Sequence, residues 1–375
     1  MQNQRLHFLD YGKAISVIII IVAHMGFDFV EKYGIFVMPL FFVASGYTVS
    51  PDKYSFGEYT KKRFQRILIP FWTATAVYIP IEIIRAYLMR YGDWKVALPM
   101  LVNMAYGTGV KLPVLGAFGQ LLQTIMVFKP QPGNLLDVVM CTNCHLWFLP
   151  VMFTAGLVFF PFTKVKKHTG LVTALGCAGM ILLASVETIP GMIQLPYGLG
   201  RGFLCAAFML VGYRLKESGI LKKGTTKQLV WFSLLGFLLA AGSILAGSDC
   251  SAMIDSYYGP YGVLSVLLTF VGGAGSVLFI LMLCQLLEKS PLRVVKKVLA
   301  DIGNQSMDIY LWHFFVVFVI DAVAVAVFGA KLSPDIYYME LFTSGHVLYR
   351  IFKVLVIFGV LTYGLPAIKK RLQKK

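Results

Sequence analysis

Two histidines and two arginines stand where an otherwise apolar chain has most reason to avoid polar side chains, and their spacing suits proton transfer and phosphate recognition. His24 lies inside an apolar run, eleven residues after Lys13. At about 1.5 Å per helical residue that is about 16 Å above the boundary Lys13 marks, near the middle of a bilayer. An ionisable group at that depth is costly and usually faces a bundle interior or a wet cavity; the other reading is a neutral histidine hydrogen-bonded between helices. Asp28 follows one turn later on the same helix face. A carboxylate there can orient the imidazole and raise its basicity, as in hydrolase triads. Alternatively Asp28, with Glu31 and Lys32, ends the span in water. The first arrangement is one that removes a proton from a hydroxyl.

Arg63 and Arg66, three residues apart, share one face of an ideal helix, and guanidinium forks suit bidentate phosphate contacts. Lys61 and Lys62 add point charge, and simple anchoring to lipid headgroups accounts for basic residues at this place equally. His313 is accompanied by Tyr310 on its own helix face and by Asp308 five residues earlier; buried packing is its structural reading. Ser45-Gly46-Tyr47 reads as a close-packing site, since small residues let helices approach. Cys141 and Cys144 with His145 spell C-x-x-C-H, the pattern of c-type haem attachment, although the following LWFLP offers another account of His145. Those two cysteines form a disulfide or stay reduced; the other four read as small hydrophobes, and no zinc or other metal site follows. No Walker A loop, G-x-S-x-G elbow or dinucleotide fingerprint is present, which argues against an ATPase, an α/β hydrolase and a nicotinamide enzyme.

The elements that must carry these residues are membrane helices. Of 375 residues 58% are hydrophobic and 14% charged, well under the quarter that covers a soluble protein. The reading is all-α, a polytopic bundle of about ten transmembrane helices near 14–30, 33–49, 67–84, 146–162, 170–188, 198–213, 228–247, 262–287, 302–328 and 346–368. With both termini cytoplasmic, 24 of the 34 Lys and Arg fall in the inner segments, as the positive-inside rule requires. The excess of positive charge is therefore topological, and a nucleic-acid partner is excluded because the charge lies in short blocks between apolar runs. Residues 85–145 are too apolar for an ordinary loop and are broken by glycine and proline; a re-entrant or interfacial helix near 112–128 is the expectation there. The first run has no convincing cleavage site and is read as a retained span. The whole chain, 1–375, reads as one integral-membrane domain with no appended soluble domain.

Taken together these segments resemble the integral-membrane acyltransferase family 3. LDYGKAISVIIIIVAH at 9–24 is similar to that family's first span, in which a basic residue precedes a histidine by eleven positions. MPLFFVASGY at 38–47, RFQR at 63–66, HLWFLP at 145–150 and IGNQSMDIYLWH at 302–313 follow in order. Lys13 in place of arginine leans toward the branch that includes fucose 4-O-acetylase-like proteins. The resemblance implies transfer of an acyl group, commonly acetyl, from cytoplasmic acyl-CoA (acetyl-CoA) to a hydroxyl of an envelope glycan or related acceptor, in the bacterial cytoplasmic membrane and without a metal. On that basis His24 is catalytic and Asp28 its orienter, and Lys13, Arg63 and Arg66 hold the CoA phosphates. Ser45, Tyr47, His145, Trp147, Tyr310 and His313 line the substrate cavity. A homodimer or a separate extracytoplasmic partner chain stays open. The competing classes are a proton-coupled transporter or exporter, for which no internal repeat is apparent, and a membrane haem protein.

Overall fold

The computed structural model describes residues 6–27, 37–78, 146–186, 199–248, 261–328 and 347–373. Among the described residues the chain is helical and contains no strand. The longer helices are α1 (His7–His24), α2 (Met38–Thr48), α3 (Phe56–Arg63), α4 (Phe148–Thr163), α5 (Thr169–Ser185), α6 (Leu199–Ser218) and α7 (Thr226–Leu245). They continue with α8 (Val263–Lys289), α9 (Arg293–Asn304), α10 (Ser306–Phe328), α11 (Val347–Gly359) and α12 (Leu365–Leu372). A π-helical turn, Phe64–Leu68, follows α3 and leads into helix through 69–78; a second π-turn, Val360–Gly364, joins α11 to α12. Each of the ten apolar runs read from the sequence carries helix. Among the described residues five stretches, led by Val263–Lys289 and Ser306–Phe328, are long and apolar enough to cross a bilayer. The protein is a polytopic helical bundle. Predicted segment 85–145 lies outside the described residues.

The chain divides into two compact units, one of 1–64, 151–193 and 199–307, the other of 65–150, 194–198 and 308–375. In the first, α2 and α6 meet backbone to backbone. A Cβ at Gly46 would stand 1.9 Å from the Met209 carbonyl oxygen, and one at Gly212 2.0 Å from that of Val43. Only glycine permits this reciprocal contact, so Gly46 has the packing role its sequence suggested. Ser55 and Glu58 form a capping box that fixes the start of α3, and Thr225 with Gln228 does the same for α7.

One element departs from expectation. Residues 288–301 fall between the predicted spans 262–287 and 302–328, yet Arg293–Asn304 is a helix. Its valines at 294, 295 and 298 share one face and remain exposed, an amphipathic pattern of the kind that lies along a membrane surface. A hydropathy window averages such a helix to nothing, so hydropathy gives no sign of it.

In the second unit α10 and α11 are joined by a charge pair inside apolar sequence. The Lys353 ammonium lies 2.8 Å from one Asp321 oxygen and 3.1 Å from the other, and the Tyr349 hydroxyl donates to Asp321 at 2.7 Å. Asp321 is 0% and Lys353 1% exposed. Removing one partner of such a pair strands a buried charge, at a cost of about 3–5 kcal/mol, whereas replacing both with apolar residues is close to neutral. Asp321→Asn is therefore expected to lower the thermal unfolding temperature of detergent-purified protein sharply, and Asp321→Leu combined with Lys353→Met to restore most of it. Equal losses in the two proteins would contradict the assignment.

Candidate active site

The first unit holds Lys13, His24, Ser45, Tyr47 and Arg63. Lys13 and His24 both lie on α1, and eleven residues make just over three full turns, so they share a face about 16 Å apart. The helix itself is displaced from the predicted span: it begins at His7 and ends at His24. The Met25 amide donates to the Ile21 and Val22 carbonyls, and Gly26, with φ +76°, breaks the helix. His24 thus stands at the C-terminal end of α1, partly exposed, and not at the middle of a longer span. The carbonyls of the last turn favour positive charge at such a position. Asp28 lies outside the described residues. The ammonium of Lys13 is paired with Asp10 at 2.7 Å, so a phosphate has to share it.

Arg63 and Arg66 do not behave as a matched pair. Arg63 is buried, 9% exposed. Its guanidinium donates to the Tyr59 hydroxyl at 3.1 Å, to Ser45 Oγ at 3.2 Å and to the Met152 carbonyl. Arg66 is exposed. The spacing of three suggested one face because it assumed a regular helix, but the turn Phe64–Leu68 is π-helical, with more residues per turn. Arg63 instead ties α2, α3 and α4 together within the first unit, while Phe160 of α4 stacks on Tyr59 at 4.1 Å. Ser45, expected in the cavity, holds this arginine. Tyr47 is buried edge-on against Phe8 at 5.7 Å, and its hydroxyl has no hydrogen-bond partner among the described residues.

The second unit holds Arg66, Trp147, Tyr310 and His313. Trp147 and Phe148 are buried at the start of α4, and Phe148 meets Tyr310 at 5.4 Å. Tyr310 and His313 are neighbours on α10, ring centroids 6.4 Å apart, and His313 is 0% exposed. Its Nδ1 lies 2.9 Å from the Tyr310 carbonyl oxygen and 3.1 Å from that of Ile309. Carbonyls only accept, so Nδ1 carries a proton. His145, Cys141 and Cys144 lie outside the described residues. Among the described residues no group of three His, Cys, Asp or Glu side chains could hold a metal, and Cys177, Cys205 and Cys284 are free thiols. A groove of about 440 Å³ lined by Val158, Phe162, Leu175, Met180 and Phe203 is apolar and includes none of the candidate residues.

The family model described as an acyltransferase domain matches residues 6–362. The chain belongs to acyltransferase family 3. No curated protein matches it, and no solved structure does. The match spans both units and every motif from the first apolar run to the segment around His313, so the enzyme is a multi-pass membrane acyltransferase.

Sequence reading missed the groups that hold Arg63. Tyr59, four residues earlier, is the one partner the spacing could have disclosed; Met152 and Gly156 gave no signal. A Cβ at Gly156 would fall 2.2 Å from Arg63 Nε. Gly156→Ala is expected to displace the guanidinium and cost about 1–3 kcal/mol, read as a lower unfolding temperature in detergent. Wild-type stability would contradict the fit.

Proposed function

We propose that this acyltransferase moves an acetyl group from cytoplasmic acetyl-CoA to a hydroxyl of an envelope glycan across the bacterial cytoplasmic membrane. The observation that carries the reading is the acyltransferase-domain match over nearly the whole chain, and the Lys13 and His24 geometry on α1 supports it. CoA is highly anionic and stays on the side that holds the basic segments. Arg66, Lys61 and Lys62 are exposed and offer its phosphates charge-assisted hydrogen bonds. The pantetheine arm covers the distance of about 16 Å along α1 that brings the thioester to His24. In this reading His24, at the end of the helix, faces the compartment from which the glycan arrives.

The imidazole takes the proton of the glycan hydroxyl as the oxygen bonds to the thioester carbonyl carbon. The C–S bond then breaks, and the departing thiolate recovers the proton from the imidazolium. General-base action of this kind is worth about 10²–10⁴-fold. Asp28 orients the ring in this reading.

Arg63 is a structural arginine here, and the contact with donor phosphates falls to Arg66. Two outcomes follow in membranes supplied with labelled acetyl-CoA. His24→Ala lowers transfer by about 10²-fold or more at normal folded yield; wild-type turnover would remove His24 from the chemistry. Arg66→Ala raises KM for acetyl-CoA about tenfold, the loss of one charge-assisted hydrogen bond, with kcat little changed. An unchanged KM would return Arg66 to lipid anchoring.

A further inference from the structure

Residues 164–168 join α4 to α5, and the fit between the two helices changes within one turn. A Cβ at Gly176 would fall 2.8 Å from the Phe162 ring, so α4 and α5 are in close contact there. At Gly179, one turn further along α5, a Cβ would meet nothing within 4 Å. Gly179 lines the groove of about 440 Å³, which Val158 and Phe162 of α4, α5 from Val172 to Leu183, and Phe203 of α6 enclose. That volume lies within the range of ligand pockets, about 300–1,000 Å³. Eleven residues of α5 give the groove a length of about 16 Å. Near the turn, Arg214 of α6 donates through Nε to Thr173 Oγ1 at 2.7 Å, which holds α5 on α6 and leaves the gap on the α4 side.

Every side chain lining the groove is apolar, so water inside it finds no hydrogen-bond partner. Leu175 and Leu183 at its edge are exposed, and on a membrane helix such an edge meets hydrocarbon. The turn at one end carries charge of one sign. Lys164, Lys166, Lys167 and His168 lie together, and no Asp or Glu occurs from 150 to 186. Lys164 is drawn back onto the Pro51 and Tyr54 carbonyls at 2.6 and 3.0 Å. Lys166 pairs with Asp52 at 3.1 Å in an exposed position, and Lys167, five residues before Val172, is exposed as well. An apolar groove that ends at basic side chains is complementary to a lipid with a negative headgroup.

We propose that the α4–α5 groove is a lipid site: it takes one acyl chain of an anionic phospholipid from the leaflet that meets the 164–168 turn, with the headgroup against Lys166 and Lys167. Gly179 keeps the channel for the chain open, and the lysines select the headgroup.

The full chain, reconstituted in vesicles of phosphatidylethanolamine and phosphatidylglycerol, tests this. A trace of one lipid or the other carries a diazirine in its acyl chain, and the labelled peptides are mapped after irradiation. The phosphatidylglycerol probe is expected to label 158–162 and 172–183 well above the exposed apolar face of α7 around Leu234 and Leu238, and above the phosphatidylethanolamine probe. Gly179→Leu fills the gap with a better helix former; it should abolish labelling of 158–162, leave that of α7 unchanged and keep the wild-type unfolding temperature. Lys166→Gln with Lys167→Gln should reduce the preference for phosphatidylglycerol about tenfold while the groove is still labelled. Groove labelling no stronger than that of α7, equal labelling by the two probes, or wild-type labelling in a folded Gly179→Leu would each overturn the proposal. Should Gly179→Leu fail to fold, the wild-type map and the lysine variant decide. A dimer in the native mass spectrum that carries no lipid, with the groove peptides unlabelled, would give the groove to a second copy of the chain and overturn the proposal too.

Discussion

A charged or polar side chain placed among membrane helices must find its partners inside the protein, because hydrocarbon supplies none. That constraint organises both units of this bundle. Arg63 is met by a phenol, a serine hydroxyl and a backbone carbonyl from three segments. Asp321 is met by Lys353 and Tyr349 from the neighbouring helix. His313 turns its Nδ1 proton onto carbonyls of its own helix. Each group is costly to bury and becomes a fixed point once its hydrogen bonds are complete. Close backbone contact at Gly46 and Gly212 supplies the dispersion attraction that apolar surface alone does not provide between helices in lipid.

The same constraint separates structural ionisable groups from those left available for chemistry. Arg63 is buried and held through its two terminal nitrogens, whereas Arg66, a short distance along the chain, is exposed. His24, at the end of α1, is more open than His313. The proposed transfer uses this division, with fixed groups shaping the bundle and a few accessible ones left for the thioester and the hydroxyl.

Much of this was legible in the sequence. The ten apolar runs all carry helix, since length and hydropathy are what a bilayer selects, and the ordered motifs from Lys13 to His313 disclosed the family. The errors have physical causes. The first span is expected about six residues late because Lys13 marks its boundary, although pairing with Asp10 lets the helix begin before it. The arginine spacing was read on a regular helix, and nothing in FQRIL announces a π-turn. The amphipathic helix over 293–304 was hidden by averaging, although its valines keep helical spacing. Asp321 and Lys353 were visible as charges within apolar runs and went unremarked; that they meet depends on the packing of two helices, which no local pattern encodes.

The central claim is that the bundle acylates an envelope glycan. Mass spectrometry of envelope polysaccharide, from cells carrying the gene and from cells in which it is deleted and then restored, tests this most directly. The account predicts a species heavier by one acetyl group that disappears on deletion, returns with the wild-type gene and stays absent when the restored gene carries His24→Ala. Identical polysaccharide spectra in all these cells would contradict it.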